Sequence, residues 1–420
     1  MRERAALVGL FNDSPRPFDP EHSLDELAGL AAAAGAEVVL RVMQERAKPD
    51  PATFLGSGKV KALATSCDET RAGLVIFDNE LSPAQLRNLE AALDRKVIDR
   101  TQLILDIFAR RARTREGKLQ VELAQLKYML PRLVGAGAAL SRLGGGIGTR
   151  GPGETKLETD RRRIRHRVSI LAKEIDAVRR RRTQLRERRH KSAVPTVALV
   201  GYTNAGKTTL FNALTGDIAV ASDALFVTLD PLIRKVKLPD RRELLVSDTV
   251  GFIERLPHTL VAAFRATLEE VAGADLLLHV VDASSAERER HMEAVRSVLA
   301  EVGADRVPSL DVFNKCDQLD APERARLAAV YPGALYVSAL TGEGRDEVIA
   351  AMESRLALDT ARVTFEFDAQ DEGNRDTVAQ LYRLGRILRH AATDGRVTIE
   401  AEIPRRLLAR FGGERSRATA

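Results

Sequence analysis

Apolar residues along this chain follow different rhythms in turn. In the first hundred residues, the short apolar runs ALVGLF, AEVVLRVM, GLVIFDN and KVIDR are separated by the helical stretches SLDELAGLAAAA, GKVKALATS and SPAQLRNLEAAL. Short apolar runs alternating with helices predict β-α-β units, hence a small parallel α/β domain over residues 1–110. Ser82 followed by Pro83 marks a helix start, an N-cap with proline in the first turn. GSGK, Gly56 to Lys59, is too short for a phosphate loop and also reads as a helix start.

The rhythm then lengthens. Leu119, Leu123, Leu126, Leu130 and Leu133 recur at steps of four and three, with Pro131 expected to kink or end that helix. Ile164, Val168, Leu171, Ile175, Val178 and Leu185 repeat the pattern, with Arg182 at the one missing apolar position. Two heptad helices joined by a glycine-rich connection at 134–153 predict an antiparallel arm over residues 111–192. The second helix, from roughly Asp160 to His190, would be about 45 Å long at 1.5 Å per residue.

From 193 to 358, apolar strands and helices alternate again. The strands are expected at TVALV, RELLVSDT, DLLLHVVDAS, SLDVFNKCD and ALYVSAL, the pattern of a doubly wound sheet. Residues 359–420 predict a small α/β appendage, with strands at VTFEFD and VTIEAEIP and a helix through TVAQLYRLGRILRHAA. The fold class is therefore α/β and multidomain.

Composition narrows the setting. A chain of 420 residues exceeds one ordinary core. The two cysteines, Cys67 and Cys316, lie far apart and have no metal-ligand spacing, which fits a reducing compartment. The N-terminus lacks the apolar core of a signal peptide, and LAGLAAAAGAEVVL is too short to span a bilayer and contains Glu37. A cytoplasmic monomer without stable membrane insertion is expected.

The net charge of +6 is unevenly placed. Residues 161–191 carry fourteen Arg and Lys against Glu174, Asp176 and Glu187, or +11, leaving the remainder at +6 − 11 = −5. An ordinary coiled coil has mixed charges on its solvated face. An excess of +11 on one helix points instead to a polyanion, most simply nucleic acid.

The sharpest chemistry lies at Gly201, Tyr202, Thr203, Asn204, Ala205, Gly206, Lys207 and Thr208, a G-x-x-x-x-G-K-[ST] loop. It follows the apolar run TVALV and opens a helix TTLFNALTG, with Thr209 in its first turn, so successive backbone N–H groups can face phosphate oxygens. Lys207 can reach the β- and γ-phosphates, and the Thr208 hydroxyl can ligate Mg²⁺. In Asp248, Thr249, Val250 and Gly251, the carboxylate can hold Mg²⁺ through water and the Gly251 N–H can sense the γ-phosphate. Thr228 carries the only hydroxyl in ALFVTLDP. Flanked by Phe226, Val227, Leu229 and Asp230, it is the candidate switch threonine that closes on Mg²⁺ in the triphosphate state. The alternative is a threonine with no ligand. Lys207, Thr228 and Gly251 are thus the residues expected at the reacting phosphate.

Asn314, Lys315, Cys316 and Asp317 decide the base. Asp317 can accept both the ring N–H and the exocyclic amine of guanine, an arrangement adenine does not offer. The Lys315 stem can cover the base, Asn314 can tie this loop to the phosphate loop, and Ser338, Ala339 and Leu340 can close the other side. Phe252 stands where many GTPases carry a water-orienting glutamine, so slow hydrolysis awaiting a partner is expected. Gly146, Gly148 and Gly151 satisfy G-x-G-x-x-G but follow no strand, so that loop need not bind a nucleotide.

The stretches GGGIGTRGPGETKLETDRRRIR and DRTQLILDIFARRARTREGKLQVELAQLKYMLPRL, placed before these motifs, closely resemble the HflX family of ribosome-associated GTPases over about residues 1–360. The resemblance implies binding of GTP and GDP, a large-ribosomal-subunit and rRNA partner, ribosome-stimulated hydrolysis, and splitting or rescue of stalled ribosomes under stress. Arg150, Lys156, Arg161, Arg162, Arg163 and Arg165 are the candidate RNA contacts. Lys156 replaces the family's usual glutamine, and DPLIR replaces its usual threonines after DP. The alternative is a GTP-switched RNA- or protein-binding regulator with a non-ribosomal partner, separable by cosedimentation with ribosomal subunits.

Overall fold

The computed structural model describes residues 2–11, 20–133, 152–192, 194–216, 225–238, 243–255, 270–356, 360–368, 373–393, 395–404, 408–411 and 416–418. The chain forms two compact units. One comprises residues 1–179 with 222–230 and 255–265; the other comprises 180–221, 231–254 and 266–420.

In the first unit, strands β1 (Glu3–Phe11), β2 (Ala36–Glu45), β3 (Leu74–Phe77) and β4 (Lys96–Asp99) form a parallel sheet of order β2-β1-β3-β4. Helices α1 (Pro20–Ala33), α2 (Ser57–Thr70) and α3 (Pro83–Leu93) connect them, as the alternating apolar runs predict. Helix α3 opens with a reciprocal cap: the Ser82 hydroxyl accepts from the Gln85 N–H, and the Gln85 side chain accepts from the Ser82 N–H. GSGK does begin a helix, with Gly56 as the N-cap of α2. Val8, Val75, Phe77, Leu63 and Leu89 fill one side of the sheet.

Buried carboxylates close the strand ends. Asp78, fully buried, accepts from the Ser23 hydroxyl at 2.7 Å and from Arg100 at 2.8 Å, and Arg100 also pairs with Glu26. Asp99 caps helix α4 (Arg100–Arg111) through the Gln102 N–H at 2.9 Å and accepts from Arg132 at 3.2 Å. Buried charges persist where each is paired and hydrogen-bonded, as these are.

Helix α5 (Arg115–Arg132) begins at a Thr114 cap and ends one residue after Pro131, whose missing N–H and ring disrupt the helical ladder. Helix α6 (Pro152–Ser192) starts eight residues earlier than expected, counting 160 − 152, and spans about 60 Å at 1.5 Å per residue. Leu119 and Leu123 meet Leu171 and Ile175, with Leu126 and Val168 alongside, so the two heptad stripes do pack together. Arg167 grips Glu122 with two bonds of 2.7 and 2.8 Å beside that seam. Leu185 has no described side chain, and the glycine-rich loop before Pro152, including Arg150, lies outside the described residues.

The second unit contains a six-stranded sheet of order β10-β9-β8-β5-β7-β6. Its strands are β5 (Thr196–Gly201), β6 (Leu232–Lys237), β7 (Glu243–Asp248), β8 (Leu276–Asp282), β9 (Ser309–Asn314) and β10 (Leu335–Tyr336). All neighbours are parallel except β6 with β7. Strand β6 was not anticipated, although Leu232 and Val236 reach the core while Arg234 and Lys235 are exposed. Helices α7 (Lys207–Thr215), α8 (Arg288–Glu301), α9 (Ala321–Val330) and α10 (Arg345–Leu356) accompany it.

A second sheet, antiparallel and of order β12-β13-β11-β14, comprises β11 (Thr360–Asp368), β12 (Arg386–Thr393), β13 (Arg396–Pro404) and β14 (Ser416–Ala418). The helix expected through TVAQLYRLGRILRHAA is too long: α11 (Gly373–Leu384) stops before Gly385, and RILRHAA is strand β12. Pairing with β13 overrides the local helical pattern, and Gly385 lets the backbone approach Glu402, whose carbonyl would lie 3.1 Å from an added Cβ. Helix α12 (Leu408–Phe411) ends with Phe411 packed on this core.

Leu171 carries the arm's packing because it is fully buried at the α5–α6 seam. Leu171→Ala should cost about 2–5 kcal/mol in denaturant unfolding and loosen the two helices from each other. Unchanged unfolding would mean that this seam contributes little to the first unit.

Candidate functional site

Strand β5 runs buried into the glycine loop and stops where Gly201 and the following residues turn toward α7. Asn204 at φ +60° and Gly206 at φ +87° are left-handed, and the turn needs them to aim backbone N–H groups outward. Gly206 could carry no side chain: an added Cβ would collide with the Asn314 amide nitrogen.

Lys207 is buried, and its ammonium donates to the Tyr202 carbonyl at 2.6 Å. Burial pushes its pKa down to about 8, with Asp248 opposing that shift. A polyphosphate beside the ammonium would favour its charged form. The next residue, Thr208, donates its hydroxyl to Asp248 at 2.8 Å. Asp248 is fully buried at the end of β7, opposite Leu199 of β5. A hydroxyl and a carboxylate side by side at the start of a phosphate loop form an oxygen-donor set suited to Mg²⁺.

The segment after Asp248 is laced to β5 and the loop by hydrogen bonds accepted at backbone carbonyls. Thr249 donates to the Leu199 carbonyl at 2.6 Å, the Phe252 N–H to Gly201 at 3.1 Å, and the Thr203 N–H to Phe252 at 2.7 Å. Gly251 lies close to the lysine: a Cβ there would be 3.1 Å from Lys207 Nζ. Val250 is buried. Phe252 is 2% exposed, so its ring belongs to the core. Farther along, the Glu254 N–H donates to the Tyr202 hydroxyl at 3.0 Å, and the Glu254 carboxylate holds Arg290 with bonds of 2.5 and 2.7 Å.

Asn314 ties the base-reading loops to the phosphate loop. Buried at the end of β9, it donates to the Ala205 carbonyl at 2.9 Å and accepts the Ala339 N–H at 2.9 Å. Lys315, at φ +65°, anchors its ammonium on Asp282 at 2.6 Å. Cys316 is buried and its N–H donates to Val337, while Asp317 is exposed in the short turn that follows. Ser338 is buried and Leu340 is 80% exposed.

Residues 201–209, 248–251, 314–317 and 338–340 therefore share one unit, joined by named hydrogen bonds. Phe226, Val227, Thr228, Leu229 and Asp230 belong to the other unit. Of the candidate RNA contacts, Arg162, Arg163 and Arg165 are exposed on α6, Arg161 is half-buried, and Lys156 lies on the same helix. Sequence reasoning missed Asp282, the partner of Lys315. A carboxylate ending the apolar run DLLLHVVD was its only signal.

Residues 21–109 match the family model described as GTP-binding GTPase N-terminal, 111–189 the GTP-binding GTPase middle region, and 196–315 a 50S ribosome-binding GTPase. The protein named GTPase HflX of Caldanaerobacter subterraneus subsp. tengcongensis is 46% identical over 402 residues, covering 96% of this chain and 91% of that one. Its Escherichia coli namesake is 44% identical over 404 residues, covering 96% and 94%. A solved GTP-binding protein of Sulfolobus solfataricus in complex with GDP aligns at 25% identity over 85% of this chain and 99% of that one, with a TM-score of 0.45. With such identity sustained along nearly its whole length, the chain belongs to the HflX family of GTPases, which bind guanine nucleotides and hydrolyse GTP.

Proposed function

We propose that this GTPase acts on the large ribosomal subunit, holding rRNA through its basic arm and splitting or rescuing stalled ribosomes under stress. The supporting observation is the placement of charge. Residues 161–191 carry +11 in a chain that is otherwise −5, and Arg162, Arg163 and Arg165 stand exposed on α6. The family description of a 50S ribosome-binding GTPase over 196–315 names a partner of that chemistry. The reading keeps four parts, at 1–110, 111–192, 193–358 and 359–420, and a cytoplasmic monomer. Among the described residues no helix is long and apolar enough to cross a membrane.

In this reading Gly201 to Thr209 wrap the phosphates with backbone N–H groups, and Lys207 leaves the Tyr202 carbonyl to pair with them. Thr208, Thr228 and, through water, Asp248 would hold Mg²⁺, which would supply positive charge against the phosphates. The Gly251 N–H faces the γ-phosphate, and Asp317, exposed at the end of its turn, accepts the two guanine N–H groups.

No polar atom at Phe252 can orient the attacking water, and its ring is turned into the core. Hydrolysis is accordingly slow in the free protein, and the ribosome supplies what is missing.

Asp317→Asn should shift preference from guanine toward xanthine, because an amide can donate to the xanthine carbonyl where a carboxylate cannot. Competition of GTP, XTP and ATP against labelled GDP measures this, and unchanged selectivity would remove Asp317 from the role.

Replacing 144–153 with a short Gly-Ser linker should leave GTP affinity and free-enzyme hydrolysis unchanged. Ribosome-stimulated turnover or subunit splitting should weaken, while salt-sensitive cosedimentation persists in part through α6. Normal ribosome action in that variant would reduce the loop to a connection. Equal turnover with and without ribosomes in the parent chain would end the activation argument.

A further inference from the structure

The segment that carries Thr228 is pinned on both sides. Phe226, 2% exposed and left-handed at φ +56°, sets its ring edge-on to Phe108 of α4, with centroids 4.7 Å apart. Leu229 is 3% exposed. Asp230 then completes the start of α5: its carboxylate accepts the Arg113 and Thr114 N–H groups, each at 2.9 Å, and the Thr114 hydroxyl. Free N–H groups at a helix start favour a negative charge, so this carboxylate is held by charge as well as by geometry. Gly117 leaves room for it, since an added Cβ would overlap the Asp230 carboxylate.

The segment after Gly251 is pinned similarly. Arg255, left-handed at φ +50°, places its guanidinium 2.9 Å from Asp78, the fully buried carboxylate that Ser23 and Arg100 also hold. Neither contact is needed to fold a phosphate loop. Both fall on segments that GTPases rearrange between nucleotide states.

We propose that Asp230 and Arg255 couple nucleotide state to the α5–α6 arm, with Asp230 acting as the positioning residue for Thr228. This rests on the reading of Thr228 as the threonine that answers the γ-phosphate. Thr228 sits two residues from Asp230, so it can shift little without loading the Asp230 bonds or Phe226. Helix α5 takes up that load, and its leucines pack on Leu171 and Ile175 of α6. By reciprocity, whatever the arm binds changes relative affinity for GTP and GDP by the factor with which the nucleotide changes binding at the arm.

The full chain tests this with fluorescent GDP and a fluorescent non-hydrolysable GTP analogue. Gly117→Ala keeps a residue that favours helix but pushes its Cβ into Asp230, and Asp230→Ala removes the carboxylate outright. The ratio of analogue to GDP affinity should change by about fivefold or more in both, with GDP affinity within about twofold of the parent. A merely structural role would weaken both nucleotides alike.

In the parent chain, which requires no substitution, amide exchange at Arg113 and Thr114 should differ between the GDP and analogue complexes. Affinity ratios within about twofold of the parent in both variants, or identical exchange at those two amides, would overturn the coupling. Thr228→Ala separates the two readings. If it lowers analogue affinity while Gly117→Ala and Asp230→Ala leave the ratio alone, Thr228 keeps its role and the coupling falls. If it changes nothing while those two shift the ratio, Asp230 still links nucleotide state to the arm, but Thr228 loses its magnesium role and Asp230 its part in positioning it.

Discussion

One buried amide organises the nucleotide-binding unit. Asn314 donates to the Ala205 carbonyl and accepts from the Ala339 N–H, spanning the phosphate loop, the NKCD turn and the SAL turn. Its environment is dry, at 2% exposure, so losing either partner would leave an unsatisfied polar group at a cost of about 1–3 kcal/mol. Gly206 accepts a left-handed backbone and the loss of any side chain to let that amide approach. The apolar strands β5, β8 and β9 set the distance that the amide bridges.

Carboxylates do the corresponding work in the first unit, where strand ends and helix starts meet. Asp78 and Asp99 are fully buried, yet each has cationic or N–H partners in place. Such groups add direction more than stability, because desolvation cancels much of their attraction. Asp230 follows the same logic at the start of α5. The arm beyond it relies on packing, where Leu119 and Leu123 of α5 meet Leu171 and Ile175 of α6.

Much of this was legible in the residues. The P-loop pattern, NKCD and the buried strands before them are local, and local spacing is what sequence shows best. The Ser82 cap with Pro83 after it was readable from the residues alone; the Gln85 partner, and the like cap of Asp320 with Glu323 at the start of α9, came from the structure. Phe252 was readable too, because an aromatic ring has no acceptor for a water's hydrogen. Strand β6 and the end of α11 escaped. LIRKVK is short and basic, and RILRHAA carries a helical spacing that only antiparallel pairing with β13 reverses.

The sequence alone determined which chemistries are present: a lysine and a threonine after a glycine turn, a carboxylate for guanine, and a helix of concentrated positive charge. These depend on residue type and spacing along the chain. Tertiary structure decided the partners. That Lys315 meets Asp282, that Asp248 meets the Thr208 hydroxyl, and that Asp230 caps a helix more than a hundred residues earlier in the chain depend on which distant segments fold together. No local pattern encodes those distances, because each partner lies on a different element and only the packing of apolar strands and helices brings them within hydrogen-bond reach.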